Sequence, residues 1–266
     1  VSMGITGTDV AKDTADMVLT DDNYVSIVSA VEQGRIIYSN IRKFVYFLIS
    51  CNMAEILIIF LPTALGFLLF PQLTTEQLAP LAPIQLLWLN LVTDGAPALA
   101  LSTEKGDPDI MDQPPRAPKE PIINRQMLLG VTTQTIAISA ATLTAFFTGL
   151  NYQGLSPENN LDIARTMAFV TLSSSELLRA FTTRSERYPL LKQGIFSNKW
   201  MNIAVLFSLL LVLVVVYVPF LNPIFKTVPL AWQQWQLLLP LLVVPSVVAE
   251  LVKWFSYTHG KKTRLA

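Results

Sequence analysis

The sequence predicts a mostly α-helical membrane protein whose first residues close an α/β domain. Three observations carry that prediction. The 266 residues are 52% hydrophobic and only 14% charged, where globular chains carry roughly 25% charge. Six apolar stretches reach or approach the ~20 residues that a helix needs to cross a bilayer. Lys and Arg then concentrate in alternate connections between those stretches, as short cytoplasmic loops require.

The opening segment, "VSMGITGTDVAKDTADMVLTDDNY", has neither a basic start nor a continuous apolar core, so it is no signal peptide. Its short runs "VSMGI" and "DMVLT" read as strands flanking the helical "TDVAKDTA", which makes residues 1–22 the tail of an α/β domain. A helix start falls at Asp22 or Asn23. Val25, Ile27, Val28, Val31, Ile36 and Ile37 continue at helical spacing, and no proline intervenes before Pro62. Residues 23–43 thus form a stalk helix continuous with the first span, the alternative being two helices broken near Gly34.

The spans within 44–256 are Phe44–Phe70, Ile84–Leu101, Gln126–Leu150, Leu161–Phe181, Trp200–Phe220 and Trp232–Phe255, and 257–266 is a polar tail. Arg35, Arg42 and Lys43 precede the first span; Lys105, Arg116, Lys119 and Arg125 follow the second. Arg184, Arg187, Lys192 and Lys199 follow the fourth, and Lys261, Lys262 and Arg264 end the chain. The other connections hold only Lys226, so the pattern predicts a multi-pass protein with both ends cytoplasmic.

Zero formal net charge gives no sign of a nucleic-acid partner. The single Cys51 excludes an internal disulfide and argues against a soft-metal site, which favours paired thiolates. The one histidine, His259, reads as a surface residue of the tail.

Inside the spans lies polarity that a bilayer penalises by about 2.5–3.5 kcal/mol per ionised residue. Asn52 and Glu55 stand three residues apart in the first span, on one helical face. Asn90 stands three and four residues from Thr93 and Asp94 in the second. Gly95 and Pro97 follow, where a helix would lose backbone hydrogen bonds and could expose carbonyls to an ion. In the fourth span Glu176 either adds another carboxylate or pairs with Arg179. Glu250 and Lys253 read as an interfacial ion pair. All the candidate donors are hard oxygens, and their number suits calcium, which takes about six to eight. On chemistry alone sodium, potassium or proton transport stays open, as does a secondary cation exchanger.

The run "LLWLNLVTDGAPALALSTEKGDPDIMDQPPRAPKEP" resembles the sixth membrane helix and following loop of P-type calcium-transporting ATPases of the sarco/endoplasmic reticulum kind and their bacterial relatives. "FLISCNMAE" resembles their fifth helix, and "GTDVAKDTADMVLTDDNYVSIVSAVEQGRIIYSNIRKF" the end of their Rossmann-like phosphorylation domain and stalk. The resemblance implies that the six spans are the pump's helices five to ten. It implies Ca2+ as the transported ion, with Asn52, Glu55, Asn90, Thr93, Asp94 and Glu176 as its ligands. The serines before Glu176 and Arg179 after it depart from the pattern; without Glu176 the stoichiometry would fall to one ion. Asn90 stands where sodium/potassium pumps carry Asp, and the Cys-Pro pair of heavy-metal pumps is absent.

The same resemblance implies that the intact protein is an ATP- and Mg2+-dependent translocase, a monomeric pump in the lipid bilayer, in the plasma membrane if bacterial. The D-K-T-G-T phosphorylation motif does not occur in this sequence. ATP chemistry would therefore belong to an N-terminal portion of the same pump, and this chain alone would be an inactive piece. Manganese and proton pumps of the P-type remain alternatives.

Overall fold

The computed structural model describes residues 1–69, 71, 73–117, 121–152, 157–185 and 188–263. Arg187, Lys119 and Arg264, counted above among the basic loop residues, lie outside the described residues, and so do the side chains of His259, Lys261 and Lys262. Two compact units form: Val1–Ile41 with Lys105–Glu120, and Arg42–Glu104 with Pro121–Ala266.

In the first unit β1 (Ser2–Met3) and β2 (Val18–Leu19) pair in parallel, Ser2 opposite Val18, with α1 (Asp9–Asp13) as the crossover. Thr8 caps α1 by accepting from the Ala11 N–H. Asp22 adopts a φ of 48°, a left-handed conformation that Asp tolerates because its short side chain bonds locally. Its carboxylate accepts from the Ile5 and Thr6 amides at 2.9 and 2.8 Å, tying the strand end to the turn. Asn23 then accepts from the Val25 N–H at the start of α2 (Val25–Leu69). Arg35 of α2 donates to the carbonyls of Ile110 and Gln113 at 2.8 and 2.7 Å, and Arg116 stacks 4.3 Å from the Tyr38 ring. These contacts fasten the long polar loop to the N-terminal part of α2.

α2 is one 45-residue helix containing Pro62, so the break weighed near Gly34 does not occur. The second unit continues with α3 (Thr75–Leu78), α4 (Pro83–Trp88), a π-helical turn over Leu89–Thr93 and α5 (Gly95–Ser102). Then follow α6 (Arg125–Leu150), α7 (Pro157–Thr183), α8 (Leu190–Gln193), α9 (Lys199–Tyr217), α10 (Asn222–Phe225) and α11 (Trp232–Thr263). Helix α11 runs well past Phe255, so the segment read as a tail is helical through Thr263.

Five segments among the described residues are long and apolar enough to cross a membrane: Val25–Gly66, Glu76–Ser102, Met127–Leu150, Lys199–Tyr217 and Trp232–Phe255. Helix α7 matches them in length but is too polar to join them. Its position explains how it carries that polarity: every residue from Ala164 to Leu177 is buried, against α6, α9 and α11. A helix walled in by protein can hold hydroxyls and charges that a lipid-facing one cannot. Ser173 and Thr171 return their hydroxyls to the carbonyls one turn back. The crossing with α6 is close, since a Cβ on Gly149 would sit 2.5 Å from the Ala164 Cα.

A buried network pins the ends of α5, α7 and α9. Arg184 donates from Nε and Nη2 to both Glu104 oxygens at 2.8 and 2.9 Å, and Asn198 adds a 2.8 Å bond to the same carboxylate. Arg184 also donates to the Gly194 and Ile195 carbonyls. It is fully buried, so a residue that the charge pattern assigned to a loop has a structural task. Arg165 likewise donates to the Glu76 and Ala79 carbonyls at the end of α3. Glu250 and Lys253 do form their pair, at 3.1 Å, and reach the Leu190 amide and the Thr182 carbonyl.

Candidate cation site

Three helices bring carboxylates to one buried region. Glu55 comes from α2, Asp94 from the link between the π turn and α5, and Glu176 from the C-terminal half of α7, with exposures of 6%, 1% and 0%. Asn90 donates to Glu55 Oε2 at 2.7 Å, which joins the first and second apolar segments at the site. Asp94 and Glu176 each place a carboxylate oxygen within 4.8 Å of the other and of Cys51 Sγ.

The carboxylates are short of partners. Glu55 Oε1 and both oxygens of Asp94 and of Glu176 are buried with no nitrogen or oxygen donor on them, and the Cys51 thiol is the hydrogen-bonding side chain beside Asp94 and Glu176. No ion pair joins Glu176 to Arg179; the guanidinium lies 4.9 Å from the Tyr46 ring and donates through Nε to Gln134. Of the two alternatives the sequence offered for Glu176, a direct ion pair with Arg179 is not formed. One buried guanidinium, Arg179, attracts Asp94 and Glu176 without pairing with either, against three buried carboxylates, and burying the surplus negative charge is costly. The arrangement therefore calls for positive charge from a cation or from protons.

The remaining sequence candidates take different positions. Thr93 is fully buried and donates to the Leu89 carbonyl within the π turn. Asn52 is half-buried and donates to the Leu48 carbonyl of its own helix, whereas Asn90 is exposed apart from its bonds to Glu55 and the Leu86 carbonyl. Both asparagines spend their N–H groups on protein acceptors, so each keeps its amide oxygen as a hard donor.

The helix interruption differs from the expectation. Gly95 and Pro97 occupy the first turn of α5, and the Asp94 carbonyl accepts normally from Ala98. The irregularity lies upstream, where the Asp94 N–H reaches back to the Leu89 carbonyl to close a π turn. Pro97 has no N–H to return to the Thr93 carbonyl. One extra residue in the turn rotates Asp94 relative to the α4 register, and such single π turns recur at functional sites.

Sequence reasoning passed over Cys51 as a site residue. The usable signal was its spacing: it stands four residues before Glu55, on the same helical face.

Residues 78–255 match the family model described as "Cation transporting ATPase, C-terminus". The chain belongs to that family. Among curated relatives of this cation-transporting ATPase C-terminal region, the calcium-transporting ATPase of Bacillus subtilis is 44% identical over 246 residues, 92% of the chain and 26% of the relative. Calcium-transporting ATPase 1 of Bacillus cereus is 41% identical over 95% of the chain and 28% of the relative. The endoplasmic reticulum calcium ATPase srcA of Aspergillus fumigatus is 35% identical over 96% and 28%. The chain thus spans about a quarter of the length of the curated relatives it matches. Family membership and the five apolar helices together make it an integral membrane protein.

Proposed function

We propose that this chain is the C-terminal membrane part of an ATP-driven pump that carries Ca2+, with Glu55, Asp94 and Glu176 as its principal ligands and Asn52, Asn90 and Thr93 as neutral donors. The observation that carries the reading is the set of buried carboxylates, short of neutralising partners, drawn from three helices. Calcium suits it because all are hard oxygens and the site is protein-built, whereas magnesium would keep most of its waters. The calcium-transporting relatives support the same ion.

In this reading α7 is the fourth of six spans, its polar groups screened by its neighbours, and both ends are cytoplasmic. Residues 1–22 end the phosphorylation domain, 23–43 form the stalk, 44–256 the transport domain, and 257–266 the cytoplasmic end. Moving two charges against 100 mV requires about 4.6 kcal/mol, which is the work the ATP-handling domains of the longer pump would supply. A chimera tests it: this chain replaces the matching quarter of the Bacillus subtilis relative. Calcium-stimulated phosphorylation of the chimera should survive, and Glu55→Gln should abolish the calcium dependence. Retention of that dependence in the variant would refute the ligand assignment.

A further inference from the structure

We infer that Cys51 is a ligand of the cation site and opens it to thiophilic divalent ions of calcium's size, cadmium above all. The inference builds on the cation-site reading above and adds a sulfur donor to it.

Cys51 Sγ lies within 4.8 Å of a carboxylate oxygen of Asp94 and of one of Glu176, and those two oxygens lie within the same distance of each other. Two donors on one ion with bonds of about 2.4–2.6 Å can stand up to about 5 Å apart, so the triad can share one large divalent ion. The thiol is fully buried, as are both carboxylates, and the thiol itself is the hydrogen-bonding group beside them, with no nitrogen or oxygen donor to compete with an ion. The three donors come from different helices, which fixes their mutual geometry by packing instead of by one flexible loop. Cadmium combines calcium's size with a preference for sulfur, so this mixed set would hold it more tightly than an all-oxygen set would. On binding, the thiol gives its proton to water and the thiolate takes up the ion.

Cys51 is the chain's one cysteine, so any sulfur signal reports this position alone. The test uses the purified chain in lipid nanodiscs, titrated with Cd2+ and followed by ultraviolet sulfur-to-cadmium charge-transfer absorption. Ca2+ binding is measured in parallel. The wild type should show the band, and excess Ca2+ should erase it. Cys51→Ser should lose the band and about tenfold or more in Cd2+ affinity. Glu176→Gln should weaken the band at a given Cd2+ concentration, because the carboxylate shares the ion. Equal Cd2+ affinity in wild type and Cys51→Ser would overturn the inference, and so would a band indifferent to both Ca2+ and Glu176→Gln. A wild type that binds Ca2+ but shows no cadmium band leaves the cation-site reading standing and refutes the role of Cys51. A chain that holds Cd2+ through sulfur yet fails to bind Ca2+ does the reverse.

Discussion

At the scale of single residues, Asp22 shows how one side chain can organise a terminus. The Ile5 amide, followed by the Thr6 amide and hydroxyl, holds its carboxyl below the usual carboxylate value. Asp21 is lowered too, first by the Ser26 hydroxyl and then by the Asn23 amide. Because the folded values are depressed, this stabilisation is complete above the unfolded value of about 3.9 and disappears as pH falls through the lower folded value. The protection factors of the Ile5 and Thr6 amides should therefore hold down to about pH 4 and fall below it. Asp22→Ala should accelerate exchange at both amides at neutral pH; unchanged protection would show that the strand pairing alone orders this turn. The individual polar residues of the membrane site were legible because a carboxylate in an apolar run stands out. Cys51 was not, since a lone thiol in such a run is indistinguishable from a small core residue until the helices it faces are known.

At the scale of elements, the joints between helices carry the chemistry that periodicity does not reveal. Glu104, Arg184 and Asn198 are far apart in the chain, and nothing in their local sequence separates them from loop residues. Only packing shows that they lock α5, α7 and α9 together. Removing one partner of this buried pair should lower stability by about 3–5 kcal/mol, because it strands the other charge. Denaturation of Glu104→Ala and Arg184→Ala in detergent should show that loss, and the double variant should be less than additive. Full additivity would mean that the two residues act separately. Helix existence was readable from apolar spacing, including the long α2. The π turn was not, because Gly95 and Pro97 advertise a break while the register change happens one turn earlier, at residues with no special backbone preference.

At the scale of the whole molecule, α7 decides what the chain is. Its sequence is too polar for a lipid-facing helix, yet it is the one most fully enclosed, and it brings Glu176 to meet residues of α2 and the α5 start. Six spans with α7 included would put the α6–α7 connection and the α7–α9 connection on opposite sides of the membrane. Single cysteines placed by Asn151→Cys and Lys192→Cys in a Cys51→Ser background should then be labelled by an impermeant maleimide from opposite faces. Labelling from one face would exclude that arrangement. The family was legible in the second span and its loop because polar residues at fixed spacing in an apolar context are rare by chance. The central claim is that buried carboxylates from three helices, short of neutralising partners, form one cation site. Equilibrium binding of radioactive calcium to the purified chain in nanodiscs tests it most directly. The account predicts saturable binding that Asp94→Asn weakens by about tenfold or more; calcium binding unaffected by Asp94→Asn and Glu176→Gln would contradict it.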